Sequence, residues 1–253
     1  MKTITDIPYS DIGHKNQVLD IFLPETDSFK TFVYFHGGGL EAGNQRDVPF
    51  AEYLTEKGIA VVSVQYRMYP TAKYPEFIMD AAASVAWTMQ NIGKYGKCEK
   101  FYVGGSSAGG YLSMMLCFDK RWLAPYKIAP ADITGYIHDA GQPTKHFNIC
   151  REEGLDTRRV IIDETAPIFY IGSSTGSSTE YAPMLFLVSD DDIENRYEQT
   201  MLMVNTLKHF EYDMNKIKLK VTHGGHCISL SSSDEDGNNI FAKTVYEFME
   251  QYQ

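Results

Sequence analysis

FYVGGSSAGGYLSMMLCF, at residues 101–118, carries the strongest structural signal of the chain. It begins as a short apolar strand, passes through a serine set between glycines, and continues as an amphipathic helix. In GSSAG at 105–109, the glycines two places either side of Ser107 remove the Cβ atoms that would clash where strand and helix approach. This pattern predicts a strained turn that exposes the hydroxyl of Ser107 beside the free N–H groups of the helix start. Ser107 is therefore the candidate nucleophile.

A second stretch of the same form, GSSTG at 172–176, centres on Ser174. It follows an apolar run, but the residues after it are polar and lead to Pro183, so no amphipathic helix completes the turn. Only 18 positions separate Ser174 from Asp192, too few for the helix and strand that normally lie between nucleophile and acid. The sequence predicts a surface loop here and favours Ser107.

A glycine loop follows the first strong strand. TFVYF at 31–35 has the character of a buried strand, and it ends directly in HGGG at 36–39. Beside an elbow, the amides of such a loop can hold the oxygen of a tetrahedral intermediate, each donor contributing on the order of 3 kcal/mol. The candidate donors are Gly38, Gly39 and Ala108. An ordinary glycine turn after a strand is the alternative interpretation.

With these two motifs the chain resembles the α/β-hydrolases of the esterase and lipase group, which includes hormone-sensitive-lipase-like and acetyl-esterase-like carboxylesterases. The resemblance continues through YRMYP at 66–70, YPE at 74–76, Asp80 and Trp87, and spans nearly the whole chain. One departure is Ser106, where relatives often have His, Asp or Glu. Another is the short lid region, which argues against lipase activity on long acyl chains.

The resemblance implies an α/β fold in one domain, residues 1–253. The sheet would be mostly parallel, with about eight strands and helices on both faces. A short cap-like insertion is expected at about 143–167. There Phe147, Ile149 and Leu155 would either line an apolar pocket wall or form the packed face of a helix. The same two readings apply to the tyrosines Tyr66, Tyr69 and Tyr74.

The expected order for this fold is serine, then acid, then histidine, each after a strand. MLFLV at 184–188 is such a strand, and it runs into SDDD at 189–192. Relatives place the acid after a small residue and two variable positions, so the resemblance implies Asp192. Asp190 or Asp191 would serve if the loop were tighter. A calcium site is disfavoured, because an EF-type loop needs alternating ligands and a later bidentate Glu.

The last predicted strand, at 217–221, opens into THGGHC at 222–227. A histidine on a glycine loop suits a general base, because the ring must reach the serine oxygen and then turn toward the leaving group. His226 follows a glycine that relatives also carry and is the preferred base, with His223 as the alternative. A zinc site is disfavoured because no second ligand cluster stands at a suitable spacing, and no metal is expected.

The chain of 253 residues has a formal net charge of −10. Such a charge argues against nucleic acid or an anionic membrane as partner. The N-terminus lacks an apolar signal region, and no segment reaches the ~18 apolar residues of a membrane span, so a cytoplasmic location is expected. A homodimer is left open. The sequence shows no C-x-x-C pair, which predicts reduced thiols at its four cysteines, Cys98, Cys117, Cys150 and Cys227.

These features predict a serine carboxylesterase that acts on short acyl esters and needs no cofactor. Ser107 would attack, His226 would move the proton and Asp192 would orient the imidazole. An amide or formamide hydrolase is the first alternative, because the same residues cleave activated amides. A non-catalytic small-molecule-binding protein of the same fold is disfavoured, since all three residues are present in the expected order.

Overall fold

Eight strands form one sheet through the centre of the molecule, within residues 1–172 and 181–252, which the computed structural model describes. In chain order they are β1 (Lys2–Pro8), β2 (Val18–Leu23), β3 (Ser28–Phe35), β4 (Ile59–Val64), β5 (Lys97–Ser106), β6 (Gly135–Asp139), β7 (Met184–Ser189) and β8 (Ile217–Thr222). Across the sheet the order is β1-β2-β4-β3-β5-β6-β7-β8. β2 pairs antiparallel with β1 and β4, whereas all pairs from β4–β3 to β7–β8 are parallel. The predicted mostly parallel sheet is confirmed.

Helices cover both faces of this sheet, as expected. They are α1 (Ala51–Glu56), α2 (Glu76–Asn91), α3 (Ala108–Phe118), α4 (Phe147–Glu152), α5 (Arg196–His209) and α6 (Ile240–Gln251). α1 and α6 pack on one face through a cluster that includes Phe32 and Tyr34 of β3. α2, α3 and α5 pack on the other face with Val33 and Phe35. Because both faces of β3 are covered, the second half of the strand, FVYF at 32–35, is continuously apolar rather than alternating.

The parallel strands explain how residues distant in sequence come to share one edge. In an open parallel sheet, ligands bind outside the carboxyl ends of the strands. HGGG at 36–39 follows β3, Ser107 follows β5, Asp192 lies beyond β7 and His226 beyond β8. The strands predicted at 31–35, 184–188 and 217–221 lie within β3, β7 and β8, so this gathering of candidate residues at one edge was predictable.

The insertion at 143–167 consists of α4 followed by irregular chain. Lys145, almost fully buried, ties it together through ion pairs to Glu153 (2.7 Å) and Asp163 (2.8 Å). Ile149 is only 1% exposed and belongs to the core cluster beneath α3, which supports the packing interpretation for that residue. Phe147 is half-buried and faces a cavity described below.

The second serine motif and the absence of a membrane span were the other expectations about the fold. The second serine motif, with Ser174 at its centre, lies outside the described residues. Each helix within residues 1–172 and 181–252 is too short or too polar to cross a bilayer.

Candidate active site

The turn between β5 and α3 has the strained geometry that the sequence predicts. Ser107 adopts φ 54° and ψ −113°, a conformation that costs an L-residue on the order of 1–3 kcal/mol. Its N–H donates to the carbonyl of Asp139 on the neighbouring strand at 2.7 Å, which helps hold the turn. A Cβ on Gly109 would lie 1.9 Å from the carbonyl oxygen of Phe35. Only glycine allows α3 to approach β3 this closely, so the strand–turn–helix prediction is confirmed.

Three of the candidate residues form one hydrogen-bonded line. The Oγ of Ser107 lies 2.8 Å from Nε2 of His226, and Nδ1 of His226 lies 2.5 Å from Oδ1 of Asp192. Both contacts are satisfied when Nδ1 carries the proton and Nε2 accepts from the serine hydroxyl. In this tautomer the imidazole is ready to take the serine proton while the carboxylate fixes the plane of the ring.

The carboxylate of Asp192 is well supported. Its side chain has no exposed surface, whereas 25% of the His226 side chain is exposed. The N–H of Ile193 donates to Oδ1 at 2.8 Å, and that of Ser189 approaches Oδ2 at 3.4 Å. These two backbone donors hold the carboxylate in its position beside the histidine.

A second Asp–His pair lies nearby but outside the site. His223 Nδ1 is 2.7 Å from Oδ2 of Asp190, and the side chains are 96% and 43% exposed. The carboxylate raises the pKa of His223, and the hydrogen bond from His223 lowers the pKa of Asp190. The N–H of Asp191 donates to the carbonyl of Gly224. The geometry therefore brings Asp192, rather than Asp190 or Asp191, to the histidine that contacts Ser107.

The glycine loop after β3 lies against the elbow and is fixed by two tyrosines. The hydroxyl of Tyr66 donates to the carbonyl of His36 at 2.9 Å, and the two rings stack with centroids 4.5 Å apart. The N–H of Tyr69 donates to the carbonyl of Leu40 at 2.8 Å. Tyr66 is fully buried, so it packs beneath the loop instead of lining a pocket.

The three predicted oxyanion donors are the amides of Gly38, Gly39 and Ala108. Within the described part of the chain, none of these amides donates a hydrogen bond. The amide of Ala108 opens α3, and first-turn amides have no partner inside their helix. The arrangement can therefore supply N–H groups to a developing negative charge.

The YR…D segment of the sequence serves as a structural anchor. The guanidinium of Arg67 binds Asp80 through Nε at 2.9 Å and Nη2 at 2.8 Å, and Nη1 reaches Glu76 at 2.8 Å. The carboxylate of Asp80 is buried and also accepts from Gln17. This bidentate pair fastens α2 to the chain that leaves β4.

Sequence reasoning missed one group beside the three-residue line, Asp139. Asp139, at the end of β6, is 2% exposed, and its Oδ2 has no hydrogen-bond partner among the described residues. Burial raises the pKa of Asp139 to about 6, against the effect of the nearby Ser106 hydroxyl. The thiol of Cys227 lies 3.6 Å from Nε2 of His226. The only available signal for Asp139 was its position at the end of an apolar strand.

A cavity of about 570 Å³ lies between the insertion and the loop that follows β7. Its wall includes Phe147, which packs on the glycine loop, and Ile193, the residue after Asp192, whereas Ser107, Asp192 and His226 do not line it. The rest of the wall is mainly polar and includes Gln142, Arg159 and Asn195. Within residues 1–172 and 181–252, no group of three His, Cys, Asp or Glu side chains is arranged to hold a metal ion.

Comparison with known proteins gives matches in sequence. A family model described as BD-FAE matches residues 19–124, a span that includes the glycine loop and the elbow. Probable carboxylesterase 7 of Arabidopsis thaliana is 24% identical over 272 residues, with 94% of this chain and 86% of that protein covered. Kynurenine formamidase of Danio rerio is 30% identical over 132 residues, which are 51% of this chain and 43% of that protein. For two other curated relatives the chain spans only 27% and 31% of their length.

Comparison of structures concerns the fold. The crystal structure of esterase B from Lactobacillus rhamnosis superposes with a TM-score of 0.76 and 14% sequence identity, over all of this chain and 89% of that one. At this identity the likeness establishes the arrangement of strands and helices. The sheet order and the helices on both faces point to the same fold as this superposition, and the sequence matches are to esterases and a formamidase. The chain has the α/β-hydrolase fold and is similar in sequence to esterases.

Proposed function

We propose that the chain hydrolyses carboxylic esters with short acyl groups through a covalent acyl-serine. The observation that carries this proposal is the hydrogen-bonded line from Ser107 through His226 to Asp192. The line is built on a strained elbow, beside a glycine loop whose Gly38 and Gly39 amides donate to no group in the described part of the chain. A nucleophile held against a base that is itself oriented by an acid is the arrangement needed for acyl transfer.

The proposed reaction has two halves. Oγ of Ser107 attacks the ester carbonyl carbon while Nε2 of His226 takes the hydroxyl proton, and the carbonyl oxygen becomes an oxyanion near the amides of Gly38, Gly39 and Ala108. The intermediate collapses, the C–O bond to the alcohol breaks, and His226 gives the alcohol its proton. Water, deprotonated by His226, then attacks the acyl carbon; the bond from that carbon to Oγ breaks, His226 returns the proton to Ser107, and the acid is released.

The surroundings of the proposed site support a short acyl group and a polar alcohol. The insertion contributes one helix of six residues, α4, which is little chain to enclose a fatty acyl group. The cavity between the insertion and the loop after β7 is lined mainly by amide and charged side chains, with Phe147 and Ile193 as its apolar members. Such a wall suits an alcohol that carries hydroxyl groups better than a long hydrocarbon.

Replacing Ser107 with alanine tests the nucleophile. Ser107→Ala should lower kcat for p-nitrophenyl acetate by about 10⁵-fold or more, because no covalent intermediate can form. Ser174→Ala, in the second serine motif, is the matched control and should retain wild-type activity. A fluorophosphonate probe should label wild type and Ser174→Ala at the peptide that contains Ser107. Wild-type turnover by Ser107→Ala would overturn the assignment.

A series of p-nitrophenyl esters tests the acyl preference. The value of kcat/KM should be highest between acetate and butyrate and fall through octanoate to palmitate. Each misfit methylene changes the balance by only ~1–3 kcal/mol, so the decline should be graded. A steady rise toward palmitate would contradict the short-acyl proposal and leave ester hydrolysis intact.

A formamide hydrolase is the second candidate, favoured by the similarity to a kynurenine formamidase over 51% of this chain. The same residues can expel an arylamine, because His226 can protonate a nitrogen leaving group as it protonates an oxygen. Comparing N-formyl-aniline derivatives with aryl acetates at equal leaving-group basicity separates the two functions. A kcat/KM that is at least about tenfold higher for the formamide would replace the esterase proposal.

A further inference from the structure

The insertion reaches back to the glycine loop through one buried side chain. Asn148, the second residue of α4, has no exposed surface, and its Nδ2 donates to the carbonyl oxygen of Gly39 at 3.1 Å. The two residues are 109 positions apart in sequence. The ring of Phe147 packs on the same glycine, because a Cβ on Gly39 would lie 2.9 Å from its Cζ. One face of Gly39 is thus covered by the start of α4.

The hydrogen bond from Asn148 complements the bonds that hold the preceding peptide of the loop. The carbonyl oxygen of Gly38 accepts from the N–H of Glu41 at 3.1 Å and from that of Ala42 at 2.9 Å, which fixes the peptide between Gly38 and Gly39 from within the loop. The next peptide, between Gly39 and Leu40, is held on its carbonyl side by Asn148. Gly39 has φ 65°, and a glycine has access to more backbone conformations than other residues, so contacts to its neighbouring peptides restrict it.

The side chain of Asn148 is not fully satisfied. Its Oδ1 is buried and has no hydrogen-bond partner among residues 1–172 and 181–252. A buried amide oxygen without a partner lowers stability, and an apolar side chain of the same size would avoid that loss. Buried polar groups that break this rule are expected at functional sites.

From these contacts we infer that Asn148 is a positioning residue, which fixes the Gly39 carbonyl from the insertion and thereby orients the loop amides toward the oxyanion. This inference rests on the proposed function, since it assigns the loop to the transition state. It also gives the insertion a role besides lining a pocket. A donor displaced by a fraction of an ångström loses much of its hydrogen bond to a developing charge, while substrate binding in the ground state is little affected.

The replacement Asn148→Leu tests the inference, because leucine keeps the volume and removes both the Nδ2 donor and the unpartnered Oδ1. We expect kcat for p-nitrophenyl acetate to fall by about tenfold with KM within about twofold of wild type. The melting temperature should stay within about 3 °C of wild type. A structural role alone would give the opposite pattern, a lower melting temperature with unchanged kcat. Unchanged kcat, or a loss confined to KM, would overturn the inference.

Arg151→Ala is the matched control. Arg151 lies on the same helix and forms an ion pair with Glu41 on the same loop, but both side chains are 40% exposed. Among the described residues, the Arg151 guanidinium contacts the Glu41 carboxylate and the Phe147 ring, at 5.9 Å, rather than a carbonyl of the glycine loop. An exposed ion pair of this kind should contribute little. Arg151→Ala should therefore leave kcat within about twofold of wild type. A loss equal to that of Asn148→Leu would show that general contact between α4 and the loop, and not the hydrogen bond to Gly39, is responsible.

Amide hydrogen exchange at residues 37–42 provides a readout that does not depend on turnover. Exchange should be at least about tenfold faster in Asn148→Leu than in wild type, and unchanged in Arg151→Ala. If wild type failed to hydrolyse esters while Asn148→Leu still freed the loop, the proposed function would fail and the positioning role would stand. If wild type were active and exchange in Asn148→Leu were unchanged, the positioning role would fail alone.

Discussion

Two Asp–His pairs lie a few residues apart at the ends of β7 and β8, and only one of them reaches a serine. His226 and Asp192 meet at 2.5 Å with the carboxylate wholly buried, and the ring continues to Ser107. His223 and Asp190 meet at 2.7 Å, but the histidine is 96% exposed. Both pairs consist of the same residue types on the same two loops.

The difference between the pairs shows that burial and a third partner, rather than the pairing, decide what an Asp–His contact can do. An exposed pair exchanges its hydrogen bond with water and is screened by salt. In the inner pair the carboxylate is buried, so it is less screened and can stabilise a transient imidazolium. We therefore expect mutations in the two pairs to separate by orders of magnitude in rate.

Removing the two histidines one at a time should give the largest difference in kcat between the two pairs. His226→Ala should lower kcat for p-nitrophenyl acetate by about 10⁵-fold, because no group remains to take the proton of Ser107. His223→Ala should retain kcat within about twofold, since its ring faces solvent. Steady-state kinetics of both variants, with circular dichroism to verify folding, decides the matter. A large loss in His223→Ala would reverse the roles of the two pairs.

Neutralising the two acids one at a time should give a smaller difference in kcat between the two pairs. Asp192→Asn should cost about 10³-fold or more in kcat, because asparagine cannot stabilise the imidazolium and favours the wrong tautomer. Asp190→Asn should cost less than about twofold. Equal losses in both variants would mean that the loop after β7 rearranges when substrate binds.

A third carboxylate, Asp139, extends the comparison to the pH dependence of the free energy of unfolding. Burial raises the pKa of Asp139 to about 6, from an ordinary value near 3.8. The folded state therefore binds this proton more tightly than the unfolded state does. The stability that it contributes is complete below pH 3.8 and is lost as the pH rises through about 6.

The replacement Asp139→Asn tests this linkage, because asparagine cannot ionise. The free energy of unfolding of Asp139→Asn minus that of wild type should rise by up to about 3 kcal/mol as the pH increases from 4 to 8. Urea denaturation at each pH measures this difference. Asp190→Asn is a control of opposite sign, since the pKa of Asp190 is lowered and its contribution is present at high pH. A difference between Asp139→Asn and wild type that stays constant with pH would show that folding does not raise the pKa of Asp139.

The sequence by itself determined the parts of the site that depend on neighbouring residues. The elbow and the glycine loop were predictable because they rest on local sterics, where a missing Cβ permits a close approach or a strained turn. Continuous apolar runs identified the buried strands, and their parallel order gathers the residues that follow them at one edge. The fold, the candidate serine and the region of the acid and the base follow from these local rules.

Only the tertiary structure decided which side chains meet. Asp192 and His226 are 34 positions apart, and Asn148 and Gly39 are 109 apart, so each contact depends on how whole elements pack. The same holds for Asp139, whose raised pKa arises from burial by its neighbours in space. Sequence patterns report periodicity and local sterics, whereas burial and distance between remote side chains are properties of the packed molecule.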